Sequence, residues 1–149
     1  MDLLERARAL AACPLFAELA PAVVIRLAER ARETELEPGE RCTSDATVWV
    51  VVEGRLVVVA RGEAASDATA STMRRRGGTA LPGHVVGLVR LVAPQTPIVE
   101  AIADRPARAL ALAIDDMRDV LEEDPAALAA LARALATVLH AGDEDGDEP

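Results

Sequence analysis

Apolar positions in the first part of the chain recur at helical spacing. Residues 2–12 carry leucines and alanines on one face, which predicts an amphipathic helix. Pro14 interrupts this pattern, and residues 15–19 predict a short helical turn. Pro21 suits the first position of a helix, so we expect a second helix that ends near Ala31.

The pattern then changes to short β-branched and apolar runs separated by glycine and proline. Residues 85–92 predict a short strand and one helical turn. Residues 62–72 are small and polar and predict a mobile hairpin tip, and residues 73–76 are a candidate strand. The clearest strands are residues 47–52, 56–59, 98–103 and 108–114.

The run at residues 108–114 alternates between two faces. One face carries Arg108 and larger apolar side chains, and the other carries only alanines. An alanine face predicts that a helix or a strand packs very closely against it. Together with Gly and Pro turns, these runs predict about eight short strands in a roll or sandwich, which is a mainly β, α+β architecture with flanking helices.

Two helices are predicted after the strands. Asp115 is suited to cap a helix that ends near Glu123. Asp124 is suited to cap a second, longer helix, with Pro125 at its first position. Gly142 is expected to end that helix. The expected organisation is a single domain over residues 1–142, with helices in 1–31, a β-roll in 32–114 and helices in 115–142, followed by an acidic disordered tail in 143–149.

Charge and composition exclude several functions. The 149 residues include 25 acidic and 16 basic side chains, for a net charge of −9, and an acidic surface repels nucleic acid. One Phe, one Trp and no Tyr leave almost no platform for stacking bases. No run is long enough to cross a membrane and no cleavable leader is visible, so we expect a cytoplasmic protein with no nucleic-acid or membrane partner.

Side chains suited to catalysis or metal binding are sparse. Cys13 and Cys42 have no neighbouring ligand in the sequence and are expected to be reduced core thiols. His84 and His140 are the two histidines of the chain and lie on different predicted elements. We therefore expect no metal site, no cofactor, no catalytic residue and no enzymatic activity.

Five stretches resemble those of one family in the same order. They are residues 13–19, 36–40, 49–58, 81–91 and 114–125. The order resembles the cyclic nucleotide-binding domain family, the sensor of bacterial catabolite-activator-type regulators and of protein kinase A regulatory subunits. The resemblance implies a double-stranded β-helix, or jelly roll, with N-terminal helices, a C-terminal hinge helix and a long final helix. No DNA-binding domain is expected after it.

The same resemblance implies a vestigial ligand pocket. In the family, glycines and an arginine hold the cyclic phosphate, and a glutamate holds the ribose. Gly83 and Gly87 match the glycines, but Leu88 stands in place of the glutamate and Gln95, followed by Thr96, in place of the arginine. Losing one partner of a buried charge pair costs about 2–5 kcal/mol, so we expect the family's ligand to be lost.

Other arginines are possible anion contacts in an altered pocket, namely Arg74, Arg75, Arg76 and Arg90. The simpler interpretation of the first three is a solvated strand end, and Arg90 is expected on the surface of the short helix. For Leu88 we expect an apolar side chain that fills the empty pocket.

The final helix carries a heptad-like stripe. Its members are Leu128, Leu131, Leu135 and Val138. The corresponding helix of the resembling regulators makes a two-fold dimer, so the stripe is a candidate interface for a homodimer or another protein. The alternative is that it packs on its own barrel, against the alanine face of residues 108–114.

The sequence is compatible with two functions. The first is a non-catalytic regulatory or scaffolding protein that acts through protein–protein interaction. The alternative is a ligand sensor that binds a cyclic nucleotide or another anion in an altered pocket.

Overall fold

The computed structural model describes the backbone of residues 1–60, 78–96 and 98–146, and the side chains of all of these except residues 60 and 138–146. The predicted hairpin tip at 62–72 and the candidate strand at 73–76 lie outside the described residues. The helices are α1 (Leu3–Ala11), a 3₁₀ helix (Pro14–Phe16), α2 (Pro21–Arg30), α3 (Val89–Val92), α4 (Ile114–Glu122) and α5 (Pro125–Gly146).

The described strands form two antiparallel sheets. The strands are β1 (Arg32–Leu36), β2 (Arg41–Thr43), β3 (Thr47–Glu53), β4 (Leu56–Ala60), β5 (Thr79–Ala80), β6 (Val85–Val86), β7 (Val99–Ala103) and β8 (Ala107–Ala113). One sheet has the order β1-β8-β3-β6 and the other the order β2-β7-β4-β5. The predicted eight-stranded roll with helices at both ends is confirmed.

Strand β8 separates two hydrophobic cores because its side chains alternate. Leu110 and Leu112 pack with the helices, whereas Ala107 and Ala109 face the core between the two sheets. The alanine face therefore lies against strands. The alternative in which the final helix packs against this alanine face is wrong, because α5 joins the core on the leucine side.

Two predicted helix boundaries are also corrected. Helix α4 begins at Ile114 directly after β8, so Asp115 is not a cap but lies in the first turn, where the helix dipole stabilises a carboxylate. Helix α5 continues through Gly142 to Gly146, so the segment 143–146 is helical rather than a disordered tail. An internal glycine costs only about 1 kcal/mol relative to alanine, which does not force a helix to end.

The start of α5 agrees with the prediction. The backbone N–H of Ala127 donates to Oδ1 of Asp124 at 3.2 Å, and Pro125 occupies the first helical position. None of the helices in the described part of the chain combines the length and hydrophobicity that a bilayer crossing requires.

Candidate functional site

An open cleft of about 540 Å³ lies beside the loop that resembles the family's pocket. The 3₁₀ helix, strands β4 to β7 and helix α3 all contribute to its wall. The lining residues are Pro14, Leu15, Ser44, Val58, Thr79, Ala80, Gly83, His84, Val85, Val86, Gly87, Val89, Arg90, Thr96 and Val99. This volume is in the range of small-molecule sites.

Two glycines shape the loop that forms one wall of the cleft. Gly83 and Gly87 both have φ +91°, a conformation that disfavours every residue with a Cβ. A Cβ at Gly87 would lie 2.7 Å from the Cβ of Ser44, whereas one at Gly83 would meet nothing within 4 Å. Gly87 is therefore required both by its backbone and by close packing.

Hydrogen bonds tie the loop to strand β3. The N–H of Gly83 donates to the carbonyl of Val51 at 2.9 Å, and the N–H of Val51 donates to the carbonyl of His84 at 3.0 Å. The backbone N–H of Gly83 is therefore already used within the fold.

Leu88 lies away from the cleft, contrary to the expectation that it fills the pocket. It is 2% exposed and belongs to the core under the helices, together with Leu91. Residues three apart lie on the same side of a helix, so these two leucines hold the single turn of α3 against the core.

Arg90 lines the cleft, which corrects the expectation of a surface position. It follows Leu88 by two residues, or about 200° around a helix, so it points to the opposite side. Its Nη1 donates to the carbonyl of Thr96, and its Nε is buried without a hydrogen-bond partner among the described residues.

Gln95 and Thr96, which follow α3, have different surroundings. Gln95 is exposed and is not a lining residue. Thr96 lines the cleft, and its Oγ1 donates to the carbonyl of Ala93 at 2.6 Å. The structure thus brings Gly83, Gly87, Thr96 and Arg90 together, while Arg74, Arg75 and Arg76 lie outside the described residues.

Two polar lining residues were missed by the sequence analysis. Ser44 is 1% exposed, and its Oγ accepts a hydrogen bond from the N–H of Val99 at 2.9 Å. His84 accepts from the N–H of Leu81 through Nδ1 at 2.9 Å, so the proton of the neutral ring is on Nε2. The only sequence signal for His84 is its position inside the pocket-like loop, and Ser44 has none.

The cysteines are buried free thiols. Burial raises the pKa of Cys13 to about 11, and burial together with the nearby charge of Glu40 raises the pKa of Cys42 to about 11. Both thiols are protonated at neutral pH and poorly nucleophilic. The described residues include no group of three or more His, Cys, Asp and Glu side chains placed to hold a metal ion.

The candidate interface stripe on α5 is divided by the fold. Leu131 and Leu135 are 0% and 5% exposed and lie in the chain's own core. Leu128 is 38% exposed, and the side chain of Val138 is outside the described set. A dimer seam made of all four residues would compete with packing inside the domain, so a contact with a partner has to use the outer side of the helix.

Comparisons with known proteins give matches among solved structures only. No protein-family model matches the chain. No curated protein matches it either.

Two of the matching structures extend over nearly the whole chain. The N-terminal domain of a transcriptional regulator from Streptomyces coelicolor A3(2) is 23% identical, with a TM-score of 0.63 over 92% of this chain and 94% of that one. The sensor domain of the transcriptional regulator DNR from Pseudomonas aeruginosa is 14% identical, with a TM-score of 0.69 over 98% and 96%.

A cyclic nucleotide-binding-like protein from Brucella abortus bv. 1 str. 9-941 is 20% identical, with a TM-score of 0.57 over 79% of this chain and 98% of that one. At such identities the likeness concerns the fold. With its two antiparallel sheets, preceded and followed in the sequence by helices, the chain has the jelly-roll fold of cyclic nucleotide-binding-like domains.

Proposed function

We propose that this chain is a non-catalytic regulatory module that acts through protein contact and does not recognise cyclic nucleotides. The proposal rests on where two side chains lie. Both occupy positions whose side chains hold the ligand in the resembling family. Leu88 is buried in the helix-side core and Gln95 is exposed outside the cleft. Neither places a polar side chain where a cyclic nucleotide would bind.

The first test is calorimetric titration with cyclic AMP and cyclic GMP. We expect no measurable binding, because loss of the charge-assisted contact alone weakens binding by about 30-fold or more. Micromolar affinity for either nucleotide would contradict the proposal. Restoring the glutamate of the resembling family by Leu88→Glu is not a suitable test of lost binding, since it would place a carboxylate in the core.

The outer side of α5 is the proposed contact surface, either with a second copy of the chain or with another protein. Leu128 is 38% exposed there, beside the exposed small side chains of Ala129, Ala132 and Ala136. Small residues allow two helices to approach closely, and leucine adds apolar area to the contact.

Sedimentation of the purified chain tests this contact. We expect a concentration-dependent dimer that Leu128→Asp shifts to the monomer, because a charge would be buried in the contact. The control is Leu4→Asp, since Leu4 is also exposed, at 58%, but lies on α1. A protein that is monomeric at all concentrations would contradict the proposed homodimer. Equal effects of the two variants would contradict the proposed contact through α5.

A second candidate, ligand sensing, is supported by the cleft itself. A volume of about 540 Å³ is retained although two binding side chains of the resembling family are replaced. Arg90 lines the cleft, and its guanidinium supplies a positive charge in place of the arginine that Gln95 replaces. The two candidates are compatible, since a ligand in the cleft can regulate contact elsewhere.

A further inference from the structure

The cleft has a charge opposite to that of the chain as a whole. The sequence has a net charge of −9. Among the described residues that line the cleft none is acidic, and Arg90 is the one with a permanent positive charge. A cleft lined by one sign of charge raises the local concentration of ligands of the other sign.

Arg90 has hydrogen-bonding capacity that the fold does not use. A guanidinium carries five N–H donors, and the described contacts of Arg90 are one bond from Nη1 to the carbonyl of Thr96. Its Nε is buried without a partner in the described part of the chain. Because this Nε is buried, an external acceptor in the cleft has to bind the remaining N–H donors of the guanidinium, of which the fold uses one.

Neighbouring carboxylates do not neutralise Arg90. On its other side the residue borders a smaller hollow of about 180 Å³, which Asp45, Asp115 and Arg118 also line. The structure gives no ion pair between Arg90 and any carboxylate of the described residues. Its charge therefore remains available to a ligand.

The apolar lining residues determine which kind of uncharged group the ligand carries. The apolar lining residues are aliphatic, and the described lining includes no Phe, Tyr or Trp, so that His84 is its one aromatic ring. The described lining therefore offers a flat base only one small ring on which to stack, whereas a flexible hydrocarbon chain can pack against Leu15 and the valines. The single permanent cation of the described lining matches a ligand with one negative charge.

We propose that this cleft binds a medium-chain aliphatic carboxylate. The carboxylate lies on the guanidinium of Arg90, where a planar two-oxygen group matches the planar donor fork. The hydrocarbon chain lies against Leu15, Val58, Val86 and Val99. This assignment rests on the ligand-sensing candidate above and names its ligand class.

Calorimetric titration with octanoate and 1-octanol tests the proposal on the unaltered protein. The two probes share a hydrocarbon chain and differ in charge. We expect octanoate to bind at least about tenfold more tightly than octanol, because only octanoate pairs with the guanidinium. Equal affinities, or no binding of either probe, would overturn the proposal. An ion pair between Arg90 and Asp45 or Asp115 in solution would give such a result, because it would occupy the charge of the guanidinium.

Variants locate the site. Arg90→Gln is expected to reduce octanoate affinity to that of octanol, and Arg90→Lys to retain part of the difference. Arg133→Gln removes the same charge from an exposed position on α5 and is expected to change nothing. Thr79→Trp, at an exposed lining residue, is expected to block both probes. Unchanged binding in Arg90→Gln or Thr79→Trp would place the probes elsewhere and overturn the assignment.

Failure of this assignment is distinguishable from failure of the proposed function. The octanoate result concerns the cleft alone, whereas sedimentation of the Leu128→Asp variant concerns α5 and uses no ligand. A negative octanoate titration with a dimer that Leu128→Asp disrupts would overturn the ligand class and leave the protein-contact proposal standing.

Discussion

Replacing Leu131 by aspartate is expected to unfold the domain. Leu131 is fully buried in the core that α5 forms with the other helices and with β8. A carboxylate there would be desolvated with no cation in that apolar cluster, at a cost of several kcal/mol. Domains of this size are stable by about 5–15 kcal/mol, so the variant would lose most of its stability.

Circular dichroism with urea denaturation measures this loss. The matched control is Leu4→Asp on α1, where the side chain is 58% exposed and lies outside the proposed contact surface. Its effect on the free energy of unfolding is expected to stay within about 0.5 kcal/mol, as for most surface substitutions. A Leu131→Asp variant as stable as this control would show that α5 does not pack as described. Because Leu131→Asp is expected to unfold the monomer, it cannot serve as a test of dimerisation.

Gly87→Ala is expected to lower the free energy of unfolding by about 3 kcal/mol. Positive φ costs a residue with a Cβ about 1–2 kcal/mol. Close contact adds to this cost, because the new Cβ would lie 2.7 Å from the Cβ of Ser44 and 3.2 Å from the carbonyl oxygen of Thr47. Ser44 is itself held by the N–H of Val99, so it cannot move without losing that hydrogen bond.

Gly83→Ala isolates the backbone part of this effect. Gly83 has the same φ of +91° but open space around the position of a Cβ. Denaturation of both variants should give a loss of about 1–2 kcal/mol for Gly83→Ala and a larger one for Gly87→Ala. Equal losses would contradict the prediction, because they would mean that the close approach of Gly87 to Ser44 adds no cost when a Cβ is introduced.

The order of elements could be predicted from the sequence because it depends on local patterns. Period-two alternation indicated β8, glycine and proline marked the turns, and Asp124 with Pro125 marked the start of α5. Boundaries were less certain where two signals competed. At Gly142 the helix continues because the cost of one glycine is small compared with the cooperative hydrogen bonding around it.

The sequence by itself thus determined the flanking helices, the main strands and the two positions, Leu88 and Gln95, at which the binding residues of the resembling family are replaced. Only the tertiary structure decided which side of each element is buried. Leu88 and Arg90 are two residues apart on one helical turn, and the core takes the leucine while the arginine lines the cleft. Likewise, the leucines of β8 pack against the helices, and its alanines pack against the second sheet. Local spacing fixes which residues share a face, but the direction of that face depends on distant segments that pack against it.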